Sequence, residues 1–209
     1  MTIKQRKERE KEQFRVSVIQ VAYELVKQAG LEGLSLRKLA TGLEYSTSKI
    51  YQEFKGKQDL IILLAEDICQ RQNERLQSLQ QEVNAEKHLL QFTHQAVCFY
   101  AEEPWSAGVL SAIRFKGQPN EMPPAFKKAA ENFRNCVEAL NLSVLATAEG
   151  LNEGLNVTRA LMLGALSILR PDSTETEKAL VIKIVDNGMQ LIVAGWKSFS
   201  SNKGKSNEK

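Results

Sequence analysis

The chain has 209 residues, 43% of them apolar and 25% charged, with 28 Lys and Arg against 25 Asp and Glu. That composition excludes a wholly disordered chain and fits one large domain, or a small domain joined to a larger one. The longest strictly apolar runs, such as 60–65, are too short to span a bilayer, and the Lys/Arg-rich start is followed by no apolar signal core. We therefore expect a cytoplasmic protein with no membrane association. Cys69, Cys98 and Cys136 are odd in number and widely spaced, which supports buried free thiols rather than a disulfide framework or a zinc site.

Charge is unevenly distributed. Residues 1–57 hold 12 Lys/Arg and 7 Asp/Glu, while residues 58–209 hold 16 and 18. A basic segment ahead of a near-neutral body points to an anionic partner met by the N-terminal part.

Helical periodicity runs through nearly the whole chain, and about nine helices are expected. The first spans about 12–29, with Phe14, Val18, Val21, Ala22, Leu25, Val26 and Ala29 on one stripe and Gly30 as its stop. The Lys/Arg and Glu residues before it read equally as a frayed helix end or as an arm touching that anionic partner. Two short helices follow, about 36–42 and 47–53. Ser35 and Ser46 are their N-caps, and Leu34 with Leu39, then Tyr45 with Ile50, stand at the hydrophobic-staple positions. A long helix opens at Gly56, with Asp59 in its first turn, and runs towards residue 80. Further helices are expected at about 86–102, 105–113, 125–147, 156–170 and 175–197. The Pro/Gly-rich stretch 115–124 separates two of these, and the polar residues 199–209 read as a disordered tail.

Two short helices joined by a turn and supported by a longer one make a helix-turn-helix, whose second helix enters the major groove. In that helix Ile50 and Phe54 face inward, so Thr47, Ser48, Lys49 and Gln52 face out. Short donors, one cation and one amide can approach a duplex closely and hydrogen-bond to base edges or phosphates.

The stretch GLSLRKLATGLEYSTSKIYQEFKGKQDLIILL, residues 33–64, resembles the DNA-binding end of TetR-type transcriptional regulators. Ala40, Tyr51, Phe54, Lys57, Asp59 and Leu60 stand in that family's register. The resemblance implies an all-α fold with a helix-turn-helix domain at 1–57 and a larger effector-binding and dimerisation domain at 58–198. It implies a homodimer on double-stranded DNA, most simply a repressor released by a small-molecule effector. It places Ser35, Arg37, Ser46, Tyr51 and Lys57 at phosphates, and Thr47, Ser48 and Lys49 nearest the bases, with Gln52 beside them. This chain departs from the pattern where Glu44 replaces the usual turn Gly, Tyr45 a small aliphatic residue, and Gly56 a Ser or Asn. Gly42, two residues before Glu44, offers a site for a rearranged turn.

The last helix is apolar almost all round, which one packed face does not require. Ala160 and Gly164 on the helix before it allow close approach, so these residues with Ile184, Ile192 and Trp196 are expected at a dimer interface built as a four-helix bundle. The resemblance also implies an effector pocket. Phe92, Phe99, Trp105, Phe126 and Phe133, with Tyr100 and Phe115, fall on the surrounding helices, and His94, Asn132 and Arg134 supply polar groups. Residue by residue, the same aromatics at helical spacing read better as core. No catalytic motif, metal-ligand set or cofactor-binding loop stands out, so neither an enzyme nor a cofactor is expected. The competing reading is a helical small-ligand-binding protein without DNA function.

Overall fold

In a computed structural model the described residues are 2–79, 84–113 and 122–206, with side chains described to residue 201. They form nine α-helices: α1 Ile3–Gly33, α2 Leu36–Gly42, α3 Thr47–Glu53, α4 Lys57–Gln77, α5 Ala85–Glu102, α6 Pro104–Ser111, α7 Pro124–Glu138, α8 Ala148–Leu166 and α9 Glu175–Ser206. One turn of 3-10 helix, Ser143–Leu145, precedes α8. The expected all-α architecture is the one observed.

Three boundaries differ from the sequence reading. Helix α1 starts at Ile3 because Thr2 and Gln5 form a reciprocal capping box: the Gln5 amide donates to Thr2 Oγ1, and the Thr2 amide donates to Gln5 Oε1 at 2.8 Å. The Arg6–Glu10 pair supports the same turns from the solvent side. The helix is then interrupted where expected, at Ala29 and Gly30, the latter at φ +61°.

The helix expected at 125–147 stops short, and the one expected at 156–170 starts early, at Ala148. Helix α7 ends at Glu138, Asn141 takes φ +49°, and Thr147 opens α8 by accepting from the Gly150 amide at 3.1 Å. A left-handed Asn and a Thr cap together outweigh a continuous apolar stripe.

Helix α9 continues past Ser198 into the stretch expected to be disordered. Ser200 Oγ accepts from the Val144 amide at 3.2 Å, and Ser143 Oγ donates to the Ser200 carbonyl at 3.3 Å, which ties this end to the turn before α8. Residues 207–209 lie outside the described residues, as does most of the 115–124 connector, Phe115 included.

In the N-terminal part, Val18, Ala22 and Val26 of α1 close over Leu34, Leu36, Leu39, Ile50, Leu60 and Leu64, all buried. In the C-terminal part α5 packs lengthwise along α9, and α4 against α7. The inner stripe of α9 is Val181, Val185, Met189, Val193 and Trp196, at three- and four-residue steps. Residues 175–201 are by length and composition apolar enough to cross a membrane, which strict run lengths did not reveal. Only 28% of the most apolar window is buried, so the inner stripe uses the smaller part of that apolarity.

Helix α4 is shared by both parts. Its first half packs under α1 and its second half meets α5, α6 and α7. Tyr23 of α1, Asp67 and Arg71 of α4, and Glu103 between α5 and α6 form one hydrogen-bonded group across that junction.

Candidate nucleic-acid interface

Local chemistry positions α2 and α3. Ser35 Oγ accepts from the Lys38 amide at 3.2 Å, and Ser46 Oγ from the Lys49 amide at 3.3 Å. Both hydroxyls thereby satisfy helix N-termini and keep their own protons for a further acceptor. Leu34 and Leu39 are buried as a staple requires. The turn between the helices is made by Glu44 itself, at φ +56°, with the Tyr45 amide donating to the Ala40 carbonyl at 3.0 Å.

Gly42 therefore does not supply the turn. A Cβ there would stand 2.6 Å from Val21 Cγ1, so this glycine lets α2 lie close against α1. Gly56 offers no side-chain cap to α4. Asp59 compensates by accepting from the Lys55 amide at 2.7 Å, just ahead of the helix.

Ile50 is fully buried and Phe54 half-buried, so α3 is anchored by the side expected. Thr47, Ser48, Lys49, Tyr51 and Gln52 are exposed, as are Ser46 and Arg37, while Ser35 and Lys57 are half-exposed. Thus every residue expected to face DNA has solvent access. The surface holds cations and short hydroxyl donors, with Tyr51 and Tyr45 as large aromatic exceptions at 58% and 41% exposure.

Sequence reasoning passed over Lys38 and Thr41. Both line an open groove with Leu25, Ser35, Arg37 and Gly42. The signal for Lys38 was its place beside Arg37 in the first turn of α2, opposite the inward Leu36 and Leu39. A second open groove lies between α1 and α3, lined by Glu10, Lys11, Gln13, Phe14, Ser17, Tyr45, Lys49 and Glu53.

Residues 18–64 match the profile described as bacterial regulatory proteins, tetR family. This N-terminal unit is therefore similar to the helix-turn-helix end of that family. Its helix-turn-helix is that of a DNA-binding transcriptional regulator.

Solved TetR-type structures share the fold along most of the chain. A regulator from Streptomyces coelicolor aligns with a TM-score of 0.59 at 15% identity, covering 87% of this chain and 96% of its own. A TetR-family regulator from Bordetella parapertussis gives 0.58 at 15%, covering 84% and 93%. A TetR-family protein from Mesorhizobium loti gives 0.56 at 17%, covering 93% and 98%. At these identities the likeness is one of fold. No curated protein matches the sequence.

The residues named for an effector pocket in this TetR-type chain do not gather at one place. Phe92 and Phe99 are core, and Phe92 meets Phe133 with ring centroids 6.1 Å apart. Asn132 donates to Asn73 Oδ1 at 3.4 Å, and Asn73 donates to the Ala125 carbonyl at 2.9 Å, so these two amides lie between α4 and α7. Phe126 is half-buried near the start of α7. Trp105 instead lies against Tyr23 at 4.4 Å between centroids, in the joint between α1 and α6. His94 faces α9, where its Nδ1 meets Asp186 at 3.0 Å and its Nε2 lies 3.6 Å from Cys98 Sγ. Neither belongs to a central pocket. Arg134 reaches Asn152 at 3.2 Å on the outer surface. Among the described residues no group of three His, Cys, Asp or Glu side chains is placed to hold a metal ion.

Of the residues assigned to a dimer interface, Ala160 and Gly164 are exposed, and Ile184 and Ile192 are half-buried. Trp196 belongs elsewhere. It is 8% exposed, and a Cβ at Gly154 would stand 3.1 Å from its Cζ2, so it closes the protomer's own core. Its spacing from Met189 and Val193 puts it on the inner stripe of α9. The outward stripe consists of Leu180, Ile184, Leu191 and Ala194, beside Val157, Ala160 and Gly164 of α8 and Ile168 just after it.

Proposed function

We propose that the protein is a homodimeric, cytoplasmic, sequence-specific reader of double-stranded DNA, acting as a repressor that a small-molecule effector releases. The observation that carries this reading is the solvent-facing side of α3, with Thr47, Ser48, Lys49 and Gln52, flanked by Arg37, Lys38 and Lys57. Cations and hydroxyl donors of this kind fix the register on phosphates, while α3 addresses base edges.

Residues 1–57 act as the reading unit and residues 58–198 as the regulatory and dimerisation unit. The dimer rests on the outward apolar stripes of α8 and α9, where Leu191 is 74% exposed, Val157 51% and Leu180 49%. A contiguous apolar face of this kind marks an interface, and two helices from each copy make a four-helix bundle. The two-fold axis then places two reading helices about 34 Å apart, one turn of duplex.

Effector binding shifts the population between spacings of the two reading units. Helix α4 transmits the shift, because it lies under α1 at one end and against α7 at the other. An effector seated among α4, α5 and α7 would meet Tyr100, Gln72, Asn73 and Asn132, a polar set within an apolar surround, as ligand sites commonly are.

The test is duplex binding by fluorescence anisotropy at two salt concentrations. It compares DNA flanking the protein's own coding region with an unrelated duplex. Preferential binding that weakens steeply with salt supports the reading. Loss of one phosphate contact, as in Lys57→Ala, lowers the salt slope by about 1 without changing sequence preference. Absence of binding to any duplex at low salt overturns it.

A further inference from the structure

Lys49 is the one basic residue within α3, and its side chain is held. Its ammonium lies 4.1 Å from the centroid of the Tyr45 ring and 5.7 Å from that of Phe14. The two rings meet at 5.6 Å and 57°. One ring comes from the turn ahead of α3 and the other from α1, so the pair bridges two elements around one cation. Among the described residues no carboxylate pairs with Lys49, although Glu53 lies one helical turn away and Glu10 lines the same groove.

The arrangement accounts for a feature that hydrophobic stapling does not. Tyr45 precedes the N-cap Ser46 and would, as a staple, pack inward on Ile50. Ile50 is fully buried, yet Tyr45 is 41% exposed and its ring is turned towards Phe14. Phe14, in turn, is a half-buried residue on the side of α1 facing this turn. The partly open aromatic pair instead faces the Lys49 ammonium.

A lysine side chain at an exposed helical position ordinarily samples many rotamers, and fixing it costs conformational entropy. An aromatic face attracts an ammonium through its quadrupole while leaving the N–H donors that point away from the ring unused. The free protein thus presents Lys49 already directed to the α1 side of the reading helix. We propose that Phe14 and Tyr45 are positioning residues for duplex recognition, which aim Lys49 at a single phosphate or base edge and so sharpen sequence preference. This inference rests on the duplex-binding reading above.

The experiment begins by letting the full-length protein select from a random-sequence duplex library. Affinity for the selected site is then measured for Phe14→Leu, Tyr45→Leu, Tyr45→Phe and Lys49→Gln, and for the doubles Phe14→Leu/Lys49→Gln and Tyr45→Leu/Lys49→Gln. Thermal melting of each variant is followed alongside. Each leucine variant is expected to weaken binding about two- to fivefold. It should also relax preference at the same base-pair step that Lys49→Gln relaxes. Tyr45→Phe keeps the ring face and should bind as the wild type does. In the Lys49→Gln background the leucine substitutions should cost nothing further.

If either leucine substitution costs as much without Lys49 as with it, the rings merely support the fold and the inference is overturned. Unchanged affinity and preference in both leucine variants overturn it as well, while leaving the DNA reading intact. A wild-type protein that enriches no sequence at all overturns that reading and this inference together.

Discussion

Tyr23, on α1, donates a hydrogen bond to Asp67, on α4. Arg71 completes the group, donating to Asp67 from Nε at 2.9 Å, to the Tyr23 oxygen from Nη2 at 3.1 Å, and to Glu103 from Nη1 at 2.6 Å. The ring of Tyr23 meanwhile lies against Trp105 of α6. One phenol thus joins the reading unit to the two elements through which a change in the larger unit would reach it. Tyr23→Phe keeps the ring and removes the hydroxyl. It is expected to lower stability by about 1–2 kcal/mol, since part-buried Asp67 and Arg71 each lose a partner. Denaturant unfolding at neutral pH reads the loss. Duplex affinity should also respond less to the proposed effector, which a titration with both ligands measures.

Alkaline pH should unfold the protein through protons that the fold retains. Burial, reinforced by the hydrogen bond to Asp67, pushes the Tyr23 hydroxyl well above the usual tyrosine range, and burial does the same for Tyr100. Burial together with Glu66 raises the Cys69 thiol to about 12, and burial raises Cys136 to about 11. Each group has a higher pKa folded than unfolded. Its contribution is therefore complete below the unfolded value and is lost as pH rises towards the folded one. Unfolding free energy should be level up to about pH 8.5 and fall above it, steepening near pH 10 as the tyrosines of the unfolded chain ionise. Tyr23→Phe should flatten the slope above pH 10. A curve with no fall between pH 9 and 11 would contradict this account.

The three thiols should separate by accessibility. Cys69 and Cys136 are buried, whereas Cys98 is half-exposed. Iodoacetamide at pH 8 should alkylate Cys98 alone in the folded protein, and slowly, because burial raises its pKa too. All three should react once the chain is unfolded. Mass spectrometry of the intact protein counts the adducts, and more than one adduct under native conditions would contradict the packing around α4 and α7.

Two glycines should respond oppositely to alanine. A Cβ at Gly150 would stand 2.1 Å from the Val144 carbonyl oxygen, which is backbone and cannot swing aside. Gly150→Ala should therefore destabilise by about 1–3 kcal/mol. Gly108 in α6 has open space where a Cβ would go. Gly108→Ala should stabilise by about 0.5–1 kcal/mol, through reduced freedom of the unfolded chain. Thermal melts of the two variants compare them directly.

Leu191→Glu should dissociate the proposed dimer without unfolding the protomer. Leu191 is 74% exposed, so the substitution leaves the inner stripe of α9 untouched. In the proposed two-fold dimer the change would act twice and should weaken association on the order of 100-fold. Sedimentation gives the mass, and circular dichroism should give the same helicity and melting onset for the isolated protomer. A wild-type protein already monomeric at micromolar concentration would remove the basis for this prediction.

The DNA-reading end was legible because its determinants are local. Ser35 and Ser46 cap their helices through amides three residues away, and Ile50 and Leu39 bury by helical spacing alone. The matched register from Ala40 to Leu60 then fixes the order of the elements. The start of α1 at Ile3 was missed: Thr2 and Gln5 carry the signal, but a run of charged residues masked the capping box and put the expected start near residue 12.

Sequence by itself therefore determined the helical class, the two short helices with their caps, and which side of α3 stays in water. These depend on neighbours within four or five positions, and such contacts form wherever the segment folds. Only the tertiary structure decided the rest, because partners distant in sequence compete for the same side chain. Trp196 turns inward against Gly154 rather than outward to a second copy. His94 turns to Asp186 rather than to the centre, and Tyr45 leaves its staple for Phe14 and Lys49. In each case periodicity gave an apolar or polar face, and only the packed neighbours determined what that face would meet.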